Sequence, residues 1–148
     1  MKIINLAVFI FTAMISGLSW SQDPALGDWH TVDDETGEVK SLVTLTLAAD
    51  GTMMGVITKV LKKNSGSGLC DKCEGEYKNK PIEGMKFIWG VKKSSEGEWE
   101  DGQLLDPESG TIYSGNITIN ESPKKLDVRG YVGFSLFGRS QTWVRVEK

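Results

Sequence analysis

Short strand-like segments separated by turn signals make up most of this chain, and they constrain its fold more than any other feature. Residues 39–47 alternate apolar with polar side chains, which is the period of a half-buried strand. Asp50-Gly51 follows directly and is a strong signal for a hairpin turn. No window of twelve or more residues has helical periodicity. The sequence therefore predicts an all-β fold.

The same pattern predicts eight strands in one domain. They are Trp29–Val32, Val39–Leu47, Met53–Leu61, Met85–Val91, Glu98–Leu105, Thr111–Ile119, Leu126–Val132 and Gln141–Val146. Their regular spacing and hairpin turns indicate an antiparallel sandwich or barrel. We favour a single barrel of about eight strands, because closure removes the exposed strand edges of a monomer.

Residues 1–21 have the features of a secretory signal peptide. Lys2 supplies a positive charge, residues 3–18 form an almost uncharged apolar run, and Ser19 and Ser21 provide small residues for a cleavage site. The run is shorter than the roughly 20 residues that a membrane-spanning helix needs. We therefore expect residues 22–148 to form the mature barrel, outside the cytoplasm and without a transmembrane segment.

The two cysteines after this leader, Cys70 and Cys73, are spaced C-x-x-C. In an oxidising compartment such a pair usually forms a disulfide, here within a Lys- and Gly-rich connection. A thioredoxin-like redox pair is an alternative, although no βαβ unit surrounds it. A zinc site is a second alternative and would need His30 with a carboxylate such as Asp71.

Charge and residue types argue against several functional classes. The chain has 17 basic and 20 acidic residues and a net charge of −3, so it lacks the basic excess of a nucleic-acid binder. His30 is the only histidine and lies in a predicted strand beside Trp29. No catalytic constellation, metal site or cofactor is predicted, and an enzyme with a site that leaves no sequence pattern is kept as an alternative.

Several motifs follow one another in a specific order along the mature chain. They are Gly27-Asp28-Trp29, Cys70-Asp71-Lys72-Cys73, Asp106-Pro107 with Gly110 and Tyr113, residues 128–133, Gly138-Arg139 and residues 142–145. This set resembles a secreted bacterial family known as domain of unknown function 2147. The resemblance covers essentially the whole mature chain but implies no chemistry, because the family has no assigned function.

Gly27-x-Trp29 lies at the first predicted strand, and Arg145 lies near the end of the last strand. This pattern is similar to that of the calycins, the group of barrels that includes the lipocalins. In calycins the tryptophan closes one barrel end and the arginine lies over it. The resemblance therefore implies a cation–π contact between Trp29 and Arg145 that closes the barrel.

A small barrel can hold one small ligand, and mid-strand aromatic and arginine side chains are the candidates to line such a site. They are Phe87, Trp89, Tyr113, Arg129 and Tyr131. Arg129 is the only charged residue in residues 128–137 and would bind an anionic group if it faced inward. The alternative is that the aromatic residues are core and the arginines form structural ion pairs.

The sequence thus predicts a secreted or periplasmic barrel that binds a small apolar or anionic amphipathic ligand. The alternative function is an envelope structural or protein-interaction module with a fully packed barrel. The segment Gly133–Gly138 carries three large apolar residues between glycines. It is interpreted as a lid over the mouth, as a tip that contacts a membrane or partner, or as a plug folded inward.

Overall fold

Eight antiparallel strands close into one barrel, which confirms the predicted fold. The computed structural model describes residues 22–62, 66–120, 122–134 and 136–148, so the predicted signal peptide lies outside the described residues. Each strand pairs with the next, and the first also pairs with the last. The strands are β1 (Gly27–Val32), β2 (Val39–Leu47), β3 (Met53–Val60), β4 (Lys86–Ser95), β5 (Glu98–Leu105), β6 (Ile112–Ile119), β7 (Lys125–Tyr131) and β8 (Gly138–Arg145).

Three strands extend two or more residues beyond the bounds that the sequence pattern predicted. β1 begins two residues earlier, at Gly27. β4 continues to Ser95, which pairs with Glu98, and β8 begins at Gly138, which pairs with Tyr131. The three extensions consist of polar residues and glycines, for which the alternation of hydrophobicity gives no signal. Backbone pairing with a neighbouring strand, rather than side-chain burial, sets these strand ends.

The up-and-down order places alternate connections at opposite ends of the barrel. The β2–β3, β4–β5 and β6–β7 turns lie at one end with both chain segments that flank the barrel, and we call this the closed end. The four other connections lie at the opposite end, which we call the open end. The longest of them joins β3 to β4 and contains a short 3-10 helix, Gly75–Tyr77.

The interior near the closed end is packed with large side chains. Each of them is at most 1% exposed, so this half of the barrel leaves no room for a ligand. They are Trp29, Val43, Leu45, Met53, Val91, Trp99, Ile117 and Leu126. Among the described residues, no helix is long and apolar enough to span a membrane.

Candidate functional site

A cavity of about 630 Å³ occupies the half of the barrel nearer the open end. This volume lies within the range of sites that hold small molecules. The deeper part of its wall is apolar and comes from β3, β4, β5, β7 and β8. It is formed by Ile57, Phe87, Ile88, Leu104, Val128 and Trp143.

One side of the cavity wall is polar. Thr31, Ser41 and Gln141 lie on the adjacent strands β1, β2 and β8 and all line the cavity. The hydroxyl oxygens of Thr31 and Ser41 are 2.7 Å apart, and Gln141 Oε1 accepts a hydrogen bond from Trp143 Nε1 at 3.3 Å. The wall is therefore amphipathic, with a polar strip facing an apolar surface.

The β3–β4 connection covers part of the open end, and we call residues 66–85 the cap. Cys70 and Cys73 form the predicted disulfide within it, and both are fully buried. The cap packs against the β5–β6 turn, where Cys70 Sγ lies 3.4 Å from the carbonyl oxygen of Pro107. Gly110 has a φ of +74°, and a Cβ there would overlap the carbonyl of Lys72. A glycine at this position therefore allows the cap to reach the turn.

An ion pair crosses the mouth of the cavity. Lys40 Nζ on β2 lies 2.8 Å from Glu108 Oε1 on the β5–β6 turn, and both residues line the cavity. β2 and this turn are on nearly opposite sides of the eight-stranded ring. We call this pair the mouth strap, because it joins two sides of the rim above the apolar wall.

The rest of the rim carries further charged side chains. Arg139 Nε and Nη2 both lie 2.8 Å from Asp34 Oδ2, and this contact holds the start of β8 to the β1–β2 turn. Asp34 raises the pKa of Arg139, so the guanidinium stays charged. Lys72 of the cap also lines the cavity and has no ion-pair partner among the described residues.

Trp29 and Arg145 meet at the closed end. The guanidinium carbon of Arg145 lies 4.1 Å from the Trp29 ring centroid, within the range of cation–π contacts. Arg145 also donates hydrogen bonds to the carbonyl oxygens of Pro24, Leu26 and Pro123. Its burial lowers the pKa of this arginine.

The Gly-x-Trp motif has a local physical reason. Gly27 has a φ of +113°, and a Cβ there would lie 3.2 Å from Arg145 Nη1. A side chain would thus meet both backbone strain and the guanidinium. Trp29 itself is fully buried and donates from Nε1 to the carbonyl oxygen of Ala25 at 3.0 Å.

Asp23 fastens the segment before β1 to the β4–β5 hairpin. Its carboxylate lies 2.8 Å from Lys93 Nζ and accepts hydrogen bonds from Trp99 Nε1 and the backbone N–H groups of Ala25 and Gly97. Burial alone would raise the pKa of Asp23, but these hydrogen bonds outweigh it and lower the pKa below its usual value. The closed end is thus sealed by two charged side chains, Asp23 and Arg145.

The structure brings together only two of the five predicted ligand-site residues. Phe87 and Tyr113 line the cavity. Trp89 lies on the outer face of β4, stacked on Tyr77 at 5.9 Å between centroids and donating to Gln103 Oε1 at 2.9 Å. This corrects the expectation that Trp89 lines the ligand site together with Phe87.

A β-bulge causes the difference. Gly55 pairs with Ile88 while its neighbour Val56 pairs with Lys86, so Phe87 is an extra residue in β4. Phe87 and Ile88 both face the cavity as a result. The alternation is thereby shifted by one residue at Ile88 and Trp89, and a second register shift, between Met53 and Gly55, returns Val91 to the interior.

Arg129 and Tyr131 do not line the cavity either. Val128 and Gly130 on β7 do, so the alternating residues Arg129 and Tyr131 lie on the outer face of the strand. Arg129 Nη1 donates a hydrogen bond to Ser140 Oγ at 3.3 Å, its partner on β8. The prediction that the Arg129 side chain faces the barrel interior is therefore wrong.

The polar strip of the wall was not predicted, although the sequence contains a signal for it. Thr31 is two residues from Trp29, and Ser41 is two residues from Val43, so both occupy inward positions of their strands. Gln141 stands in the same relation to Trp143. The mouth strap had no such signal, because it joins residues on opposite sides of the barrel.

Within the described ranges, no group of three or more His, Cys, Asp or Glu side chains is arranged to hold a metal ion. The zinc alternative for Cys70 and Cys73 therefore finds no ligand set there, and both sulfurs are in the disulfide.

The family described as "Uncharacterized protein conserved in bacteria (DUF2147)" matches the chain over residues 27–145. A solved structure, protein HP1028 from the human pathogen Helicobacter pylori, has a similar fold with a TM-score of 0.71. It is described as belonging to the lipocalin family. The two sequences are 15% identical, and the similarity covers 83% of each chain.

No curated protein matches the chain at a significant level. The two matches agree with both predicted resemblances, and neither is to a catalytic family. At 15% identity, the similarity to HP1028 is one of fold.

Proposed function

The chain belongs to the DUF2147 family, and we propose that it is a non-enzymatic binding protein whose barrel holds a small apolar or amphipathic molecule. The observation that supports this most strongly is the cavity of about 630 Å³ in a barrel whose other half is packed. The alternative, a structural barrel with a fully packed interior, would need side chains to fill this volume. A cavity of this size lacks the side-chain packing that a purely structural core would have.

The ligand is an amphiphile with its apolar chain inside and its polar head at the mouth. The deeper wall consists of aliphatic and aromatic side chains, while charged groups lie only at the rim. Burying a charged head among the apolar residues would cost far more than leaving it at the rim. The head group therefore stays beside the cap.

Four basic and three acidic side chains of the described residues line the cavity, and this excess of positive charge favours an anionic head over a cationic one. The basic residues are Lys40, Lys62, Lys72 and Arg139, and the acidic residues are Asp71, Asp106 and Glu108. Lys72 lines the cavity and has no ion-pair partner among the described residues. Lys62 is 3.8 Å from Asp33, a loose pair, and also lines the cavity. We therefore assign to Lys72 the role that was predicted for Arg129, which is to bind the anionic head group.

The barrel works outside the cytoplasm as a monomer. Two features support the location: the signal-peptide pattern of residues 1–21 and the disulfide between Cys70 and Cys73. Closure of the barrel leaves no unpaired strand edge through which two copies could pair.

Binding is tested with a fluorescent fatty acid that carries a dansyl group. The wild-type chain binds it with saturation, and Val128→Trp weakens the affinity by about tenfold or more, because the indole occupies cavity volume. Val144→Trp is the matched control, since Val144 is a 42% exposed valine on β8. Absence of saturable binding to the wild type, or equal affinity in Val128→Trp, contradicts the proposal.

The head-group assignment is tested with Lys72→Glu. This variant binds the anionic probe more weakly than the wild type but binds the corresponding fatty alcohol equally well, because only the acid meets the charge at position 72. Lys59→Glu is the control, as Lys59 is an exposed lysine of β3 that does not line the cavity. A Lys72→Glu variant that keeps wild-type affinity for the acid contradicts the assignment.

A further inference from the structure

The β7–β8 loop carries four large apolar side chains that are exposed to solvent at the open end. Val132, Phe134, Leu136 and Phe137 are 61%, 76%, 86% and 76% exposed, and we call them the apolar tip. A backbone hydrogen bond from Phe137 N to Phe134 O at 3.0 Å holds part of the loop in a turn. These exposures rule out the plug interpretation, in which the segment folds inward. Exposed apolar groups of this kind mark contact surfaces.

We propose that the apolar tip inserts into the surface of a lipid bilayer and docks the open end of the barrel on it. This goes beyond the proposed function, because docking does not require a ligand in the cavity. The side chains of the apolar tip take no part in the packed core, so the stability of the barrel does not explain why they are apolar. Docking on a bilayer gives them a function.

The size and shape of the tip favour a lipid surface over a protein partner. A stable protein–protein interface uses about 20–30 residues on each side. The tip offers four large apolar side chains on one protruding loop, and charged residues dominate the rest of the rim. Insertion into a bilayer needs only that a few apolar side chains reach the boundary between head groups and acyl chains.

The tip is also continuous with the cavity. Phe137 is 76% exposed and at the same time lines the cavity, together with its neighbour Gly138. A bilayer that surrounds the tip would therefore stand directly at the mouth. An acyl chain moving from the bilayer to the apolar wall would pass along Phe137 rather than through water.

The charges near the tip indicate which bilayer it fits. Residues 132–137 contain no charged side chain. The charged residue nearest to them in sequence, Arg139, forms an ion pair with Asp34. Insertion is therefore driven by apolar burial rather than by attraction to anionic lipid. We expect binding to phosphatidylcholine vesicles that depends little on salt or on added phosphatidylglycerol.

Flotation of residues 22–148 with phosphatidylcholine vesicles tests the proposal. The wild type floats with the vesicles, and the double variant Phe134→Ser/Leu136→Ser loses about tenfold or more of its partitioning. Leu47→Ser is the matched control, because Leu47 is a 52% exposed leucine at the closed end of β2. The control partitions like the wild type.

A second measurement reports on the tip without removing its apolar character. Phe134→Trp places an indole at the tip, and brominated acyl chains quench its fluorescence when the protein is bound. Leu47→Trp, at the closed end, is not quenched beyond the wild-type background. The thermal midpoint of each variant shows that it is folded.

Three results would overturn the proposal. The first is a wild type that stays in solution, and the second is a double serine variant that floats as well as the wild type. The third is a tip that drives self-association in sedimentation experiments without vesicle binding, which would make a second copy its partner. Dye binding is measured in solution without vesicles, so failure of docking and failure of the proposed ligand site are distinguishable.

Discussion

Two individual side chains, Asp23 and Arg145, hold the closed end of the barrel together. Asp23 and Arg145 are charged groups that accept or donate several hydrogen bonds each in partly buried surroundings. Charge-assisted hydrogen bonds of this kind are stronger than neutral ones, and their loss leaves backbone or indole groups without a partner. Replacing either residue should therefore lower the free energy of unfolding more than the same substitution at an exposed site.

Asp23→Asn should make stability less dependent on acid pH. The pKa of Asp23 is lowered in the folded protein, so its contribution is fully present above its unfolded value of about 3.8 and is lost as the pH falls through the folded value. At neutral pH we expect the variant to lose about 1–3 kcal/mol. Urea unfolding between pH 7 and pH 2 measures this, and the difference from the wild type should narrow only below about pH 4. A constant difference over the whole range would contradict the assignment.

Trp29→Ala should be among the most destabilising substitutions, costing about 3–5 kcal/mol, because it removes a fully buried indole.

Arg145→Lys should cost less, about 1–3 kcal/mol, since a lysine cannot reach three carbonyl oxygens and also stack on the ring. Chemical denaturation gives both values. An Arg145→Lys variant as stable as the wild type would contradict a stabilising role for the guanidinium's combined hydrogen bonds and ring contact.

At the scale of elements, the cap is held by its own disulfide and by the β5–β6 turn. The loop that the disulfide closes is very short, so the disulfide lowers the conformational entropy of the unfolded chain only a little. Its effect should be local to the cap. The double variant Cys70→Ser/Cys73→Ser is therefore expected to lose only about 1–2 kcal/mol of global stability.

The amides of the cap are the most direct reporters of this local effect. Cys70 N donates to Lys80 O, Asn79 N to Cys70 O, and Ile82 N to Gly68 O. In the double serine variant these amides should exchange with solvent faster, while those of β2 and β7 keep their protection. Equal acceleration in cap and barrel would mean that the disulfide supports the whole fold.

The mouth strap should control how fast a ligand enters and leaves. Glu108→Gln removes the charge that pairs with Lys40, and stopped-flow displacement should show release about two- to fivefold faster, the range expected for one partly exposed ion pair. Glu147→Gln is the control, because it breaks the pair with Lys124 at 2.7 Å on the far side of the molecule. Unchanged release in Glu108→Gln would show that the strap does not gate the cavity.

At the scale of the whole molecule, the alternation of side chains predicted the strands and their closure but not the interior surface. Along β4 the alternation of Phe87 and Trp89 was misleading, because the bulge puts Ile88 beside Phe87 and turns Trp89 outward. Arg129 was expected inside because its neighbours are uncharged. The strand period, with Val128 and Gly130 lining the cavity, places it outside.

The cavity itself was beyond sequence-based prediction. Whether a barrel interior is filled depends on the summed volumes of side chains from all eight strands, and no local pattern encodes that sum. The exposed apolar tip was visible in the sequence as Gly133–Gly138, but its direction was not. The cap and the mouth strap depend on contacts between residues far apart in the chain, such as Lys40 and Glu108.

We propose that the half of the barrel at the open end accepts an apolar chain while the other half stays packed. Methyl NMR during titration with an unlabelled fatty acid distinguishes the two halves. We expect saturable shifts for the methyl groups of Ile57, Ile88, Leu104 and Val128, and unchanged signals for Val43, Leu45, Ile117 and Leu126. Shifts confined to the second group, or no saturable shift in the first, would contradict it.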